Sequence, residues 1–137
     1  ETEEDFYELM AFVRNCRFDN VGVFTYSDEE GTAAQALPGK VDARVAKQRR
    51  THLMKEQAKI SKSLNNAKIG RTFKALFEGL SQESDLLFQA RLEGQAQEID
   101  GHILINDMPE DLEPKIGAVY NVRITQAHEY DLVGEIV

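Results

Sequence analysis

The sequence predicts an α+β chain in two parts. Residues 1–67 read as a partial α/β barrel segment, helix–strand–long helix, and residues 68–137 as a five-stranded antiparallel OB-like barrel. Three observations predict this. The formal charge changes sign twice along the 137 residues, from -6 over 1–40 to +6 over 41–68 and -8 over 69–137. Apolar spacing is helical up to about residue 67 and alternating beyond it. One dense β-rich run, 21–26, sits between two helical stretches.

The elements follow in order. Thr2-Glu3-Glu4-Asp5 is a helix start: a threonine oxygen can accept the backbone N–H three residues on, and acids suit the positive end of the helix dipole. Phe6, Leu9, Met10 and Val13 then form one apolar face, with Arg14 and Arg17 near the far end. Val21-Gly22-Val23-Phe24-Thr25-Tyr26 hardly alternates, as in a parallel strand covered on both faces. Such a strand needs neighbours reached through crossovers. None precedes it, so the chain is expected to be a piece of a longer protein. Residues 27–39 form a loop punctuated by Gly31 and Pro38-Gly39. Residues 41–67 lack internal proline and glycine and read as a long helix ending near Asn65 or Asn66, without one clean apolar seam.

Beyond residue 68 the period becomes two. Phe73, Ala75 and Phe77 share a side, as do Phe88, Ala90 and Leu92. Ile103 and Ile105 mark a third strand. Tyr120, Val122 and Ile124, or Val119 with the opposite face, mark a fourth, and 132–137 closes the chain. Five short strands in about 69 residues fit a small closed barrel, which also removes exposed edges.

Composition excludes several functions. A net charge of -8 excludes a generally basic nucleic-acid binder. The longest apolar runs fall far short of a membrane span of ~20 residues. The single cysteine, Cys16, excludes a disulfide framework and any cysteine-built metal or cluster site within this chain, and is expected to pack in the core. His52, His102 and His128 have no ligand spacing, and no phosphate-loop, dinucleotide or triad motif is present. No catalytic acid–base residue and no metal site is assigned. Glu29 and Glu30 follow the 21–26 run. In an α/β barrel that is the active-site end, and otherwise it is a solvated loop; the residues leave both open.

Several motifs carry a family resemblance. Phe24-Thr25-Tyr26-Ser27-Asp28-Glu29-Glu30-Gly31-Thr32 resembles the sixth-strand loop of the radical-SAM methylthiotransferases, and Thr2 to Phe6 resembles the stretch that follows their F-P-G-E turn. Ala96 to Gly101, Gly117 to Thr125 and Ala127 to Gly134 resemble a TRAM domain. Together these motifs cover nearly the whole chain. Glu29-Glu30 before Gly31-Thr32, and Tyr130-Asp131-Leu132, resemble the branch that modifies an aspartate of a small-subunit ribosomal protein. The tRNA-modifying branch carries a basic residue and proline before Gly-Thr.

The resemblance implies a parent enzyme using S-adenosylmethionine and two four-iron four-sulfur clusters, with the cluster-binding part upstream. This chain alone would hold no cofactor and be inactive. It implies that the Val23–Phe24 backbone lies beside the adenosyl group, where the plainer reading is a core strand. Glu29 and Glu30 would line the substrate entrance. Tyr130 and Asp131 would shape the substrate face of the TRAM domain, or serve as barrel rim and turn stabiliser. The implied partner is a basic, cytoplasmic ribosomal protein, which an acidic TRAM segment suits. Lys47, Arg49, Arg50 and Lys55 on the basic helix would reach ribosomal RNA, or simply meet acidic neighbours of the same chain. The competing readings are a tRNA methylthiotransferase and a non-enzymatic OB-like adaptor.

Overall fold

Helix α1 (Glu3–Cys16) starts at the expected signature in the computed structural model, which describes residues 1–81, 84 and 86–137. The Asp5 N–H donates to Thr2 Oγ1 at 3.1 Å and the Thr2 N–H donates back to Asp5 Oδ2 at 2.7 Å. This reciprocal capping box satisfies two donors that the first helical turn leaves free. The bond from the Thr2 backbone holds the Asp5 carboxyl below its ordinary value. Arg17, at φ 49°, ends the helix in the left-handed region, its N–H donating to the Val13 carbonyl at 3.0 Å.

Two compact units divide the chain, Glu1–Ile60 and Ser61–Val137. In the first, α1 buries Phe6, Met10 and Val13, and α2 (Ala43–Asn66) contributes Leu53, Gln57 and Ile60. Arg14 Nε reaches Glu56 Oε1 at 3.0 Å, and the Arg49 guanidinium lies 5.4 Å from the centre of the Phe6 ring. Gln57 Nε2 donates to the carbonyls of Phe18 (2.7 Å) and Asp19 (3.2 Å), fastening the chain as it leaves α1. The α2 seam escaped the sequence pattern because one of its buried positions is glutamine. Cys16 is exposed rather than packed in the core.

The expected strand at 21–26 is not one here: the run carries no regular secondary structure, and Phe24 is 89% exposed. A strand's backbone groups need a partner strand. None pairs with this run among the described residues. The α/β barrel segment therefore stands as helix, irregular chain and helix, with a single 3-10 turn (Ala33–Ala36) between.

The second unit holds five strands: β1 (Thr72–Leu80), β2 (Phe88–Leu92), β3 (Ile103–Asp107), β4 (Val119–Ala127) and β5 (Leu132–Ile136). They close into a barrel in the order β1-β2-β3-β5-β4. Its core takes residues from every strand: Ala75, Phe77, Ala90, Ile103, Ile105, Val122, Ile124, Leu132 and Ile136. The Tyr120–Val122–Ile124 face is the inner one, and Val119 points out.

The barrel is mixed, not wholly antiparallel as expected, because β3 and β5 run parallel. Parity requires this. Alternating strand directions around a ring of five must leave one neighbouring pair parallel. Bulges in β1, β3 and β4 bend the strands to close the ring. Gly134 permits close packing of β5 on β4: a Cβ there would stand 2.7 Å from Val122 Cγ1 and 2.8 Å from the Arg123 carbonyl oxygen.

Candidate functional site

The turn between β4 and β5, residues 128–131, is fixed from two sides. Asn65, in the last turn of α2, donates from Nδ2 to the carbonyls of His128 and Glu129, both at 3.3 Å. Lys68 Nζ donates to Asn65 Oδ1 at 2.8 Å and orients that amide. From the other side, Asp131 Oδ1 accepts the His102 N–H at 3.2 Å and lies 3.5 Å from His102 Nδ1. The Leu132 N–H donates to the His102 carbonyl at 2.9 Å. Gly101 lets the two loops meet, since a Cβ there would stand 2.0 Å from the Tyr130 carbonyl oxygen. Tyr130, held between these fastenings, is 42% exposed.

Beside this corner lies a polar cleft of about 440 Å³. Its floor is an engaged network: Glu78 accepts from Arg91 Nε at 2.8 Å and from Gln89 Nε2 at 3.1 Å. His102 forms part of its wall. Asp131 and Tyr130 are thus brought together with His102, Gly101 and Asn65. The sequence reading missed the last three as a group, because Asn65 and the Gly101-His102 pair come from stretches far apart in the chain. The only signal was the glycine before His102.

In the first unit, Val23 and Phe24 share a cleft of about 230 Å³ with Arg49, Arg50 and Leu53. Arg50 Nε already donates to the Val23 carbonyl at 2.9 Å. Arg49 Nη1 pairs with Glu1 at 2.6 Å. Two of the four cations expected to reach RNA therefore have partners within this unit. Lys47 and Lys55, with Arg44, line a shallow groove along α2.

Glu29 and Glu30 are exposed. Their loop is organised around Lys40, which pairs with Asp28, donates to the Ala34 carbonyl at 2.9 Å and lies 4.8 Å from the centre of the Tyr26 ring. Tyr26 Oη donates to Asp28 at 2.9 Å. The Lys40 bond holds the Asp28 carboxyl below its ordinary value and raises the Lys40 ammonium. The Glu29 carbonyl accepts from Thr32 Oγ1 at 2.8 Å, so its backbone is engaged while its carboxylate faces outward.

Among the described residues no three His, Cys, Asp or Glu side chains converge to hold a metal ion. A cluster with three thiolate ligands does not fit a chain whose single cysteine is Cys16. No helix is long and apolar enough to cross a membrane, among the described residues.

The sequence profile of the TRAM domain matches residues 69–137, just over half of the chain. The chain belongs to the TRAM-domain family. The match begins shortly before β1, so the five strands of the TRAM barrel all lie within it. Across its full length the chain is 50% identical to a protein of Solibacter usitatus named ribosomal protein uS12 methylthiotransferase RimO, of which it spans 29%. It is 47% identical to the protein of the same name from Koribacter versatilis, of which it spans 27%. A third, from Pelobacter propionicus, is 44% identical over 99% of the chain, which spans 29% of that protein. The chain thus covers under a third of the length of these relatives, and its likeness to them extends through both units.

Proposed function

We propose that this chain is the C-terminal substrate-recognition part of a radical-SAM methylthiotransferase that modifies an aspartate of ribosomal protein uS12. The observation that carries the reading is the likeness to proteins of that name over the entire chain, at 50% identity in one case. Residues 68–137, the TRAM domain, would hold the protein substrate. Residues 1–67 would complete an α/β barrel whose remaining strands pair the 21–26 run. The parent supplies S-adenosylmethionine and two four-iron four-sulfur clusters, and the chain alone is inactive. When bound, the S-adenosylmethionine supplies the radical that activates an inert carbon; Val23 and Phe24 would form part of the wall against it.

Charge supports the protein substrate. The TRAM segment carries -8, which repels nucleic-acid phosphates and attracts a basic ribosomal protein. Glu29 and Glu30, exposed on their loop, would add to that attraction at the substrate entrance. Tyr130 and Asp131 would shape the substrate face. A cytoplasmic location follows from this substrate. The engaged Arg49 and Arg50 weaken the case for a ribosomal RNA contact by α2.

The test is fluorescence anisotropy with labelled uS12 and labelled tRNA, each titrated with the chain across a salt series. Saturable binding of uS12 with weak tRNA binding is expected. Preferential, steeply salt-dependent tRNA binding would overturn the reading in favour of a tRNA methylthiotransferase.

A further inference from the structure

The β4–β5 turn carries more fastenings than joining two strands requires. Two strands can be joined by a short turn that satisfies its own backbone. Here two separate stretches close on four residues: Asn65 bonds His128 and Glu129, and the 101–102 stretch meets Asp131 through the His102 N–H and Tyr130 through the bare Gly101 backbone. What these fastenings hold at the surface is an aromatic ring. Tyrosine is enriched among the residues that carry binding energy, and a preorganised turn has little freedom left to lose on contact.

We propose that Tyr130 is a contact residue for a cationic side chain, arginine or lysine, of a basic polypeptide, and that Asn65, Gly101 and Asp131 are positioning residues that aim it. This rests on the substrate reading above and deepens it. The face of an aromatic ring attracts a cation. The surroundings favour the same sign: Glu129 is exposed beside Tyr130, and the whole 69–137 segment has thirteen acids against five bases. Asp131 is the informative residue. Its Oδ1 accepts a backbone N–H, so its work in the turn needs an oxygen acceptor, not a charge. An asparagine keeps that oxygen. A direct charge contact with substrate would instead be lost on the same change.

The experiment uses the whole 137-residue chain, with an arginine-rich peptide and labelled uS12 as separate probes, and thermal unfolding of each variant as a folding control. Tyr130→Ala is expected to weaken binding of both probes about tenfold, with Tyr130→Phe close to the parent chain. Asp131→Ala and Asn65→Ala are expected to weaken binding several-fold and to raise backbone mobility at 128–131 in nitrogen-15 relaxation. Asp131→Asn is expected to restore both. The proposal fails if Tyr130→Ala binds the peptide as tightly as the parent chain, if the parent does not bind the peptide, or if Asp131→Asn is as weak as Asp131→Ala. Undiminished uS12 binding by Tyr130→Ala would sink this inference and leave the substrate reading standing. Peptide binding that tracks the variants, with no uS12 binding, would uphold the contact and sink the substrate reading.

Discussion

The two units of this chain handle their backbones differently. The barrel closes on itself, so that each of its strands has two neighbours, and its core draws on all five. The first unit relies on helices. Its α1 and α2 satisfy most of their backbone groups internally and bury Phe6, Met10, Val13, Leu53 and Ile60 between them. Yet Tyr7, Phe12, Phe24, Tyr26 and Leu37 remain largely exposed, and the β-rich run 21–26 forms no strand. A helix makes its hydrogen bonds within one segment, whereas a strand makes them with another. The helices therefore form with few neighbours, and the lone strand candidate does not.

Hollowing out the barrel should separate the two units most clearly. Ile124 is fully buried, so Ile124→Ala is expected to cost about 2–5 kcal/mol in denaturant unfolding followed by barrel amides. Helical signals from α1 should change far less. An equal loss in both would show that the two units unfold as one. Next comes Gly101→Ala. With 2.0 Å between the added Cβ and the Tyr130 carbonyl oxygen, the β4–β5 corner must move, at about 1–3 kcal/mol or more. An unchanged melting temperature would show that the corner is looser than its geometry.

On the helical side, Thr2→Ala removes one half of the capping box and should destabilise α1 by about 1 kcal/mol, read by amide exchange in its first turn. A loss spread through the barrel would contradict the division into units. The smallest effect concerns the Asp28–Lys40 loop. The Asp28 carboxyl is held below its ordinary value of 3.8 by the Lys40 bond. Its contribution to loop order is thus present above that value and is lost as pH falls through the lowered one. The Tyr26 ring resonances should shift in that acid window. Lys40→Met should move the titration back toward the ordinary value.

Much of the second unit was legible in the sequence because alternation reports which side of a strand is buried. Phe73, Ala75 and Phe77 showed the inner face of β1, and Ile103 and Ile105 that of β3. The capping box of α1 was legible for a similar reason, as its partners lie three residues apart. Strand direction was misread as wholly antiparallel, although the count of five strands in a closed ring already required one parallel pair. Cys16 was misread because apolar character alone does not place a residue on the buried stripe of its helix. The β4–β5 corner was scarcely legible: Asn65, Gly101 and Asp131 are 30 or more residues apart, and no local spacing links them.

Local pattern set the period of the helices and barrel strands, the capping box of α1 and the sign of charge along the chain, all of which are read within a few residues. Contacts across the fold settle whether 21–26 has a partner, which two strands run parallel, that Gln57 and Asn65 serve as buried fastenings, and how two distant stretches hold Tyr130 at the surface. Each of these depends on which groups meet across long loops, and a hydrogen bond or a close approach of that kind leaves no period in the sequence.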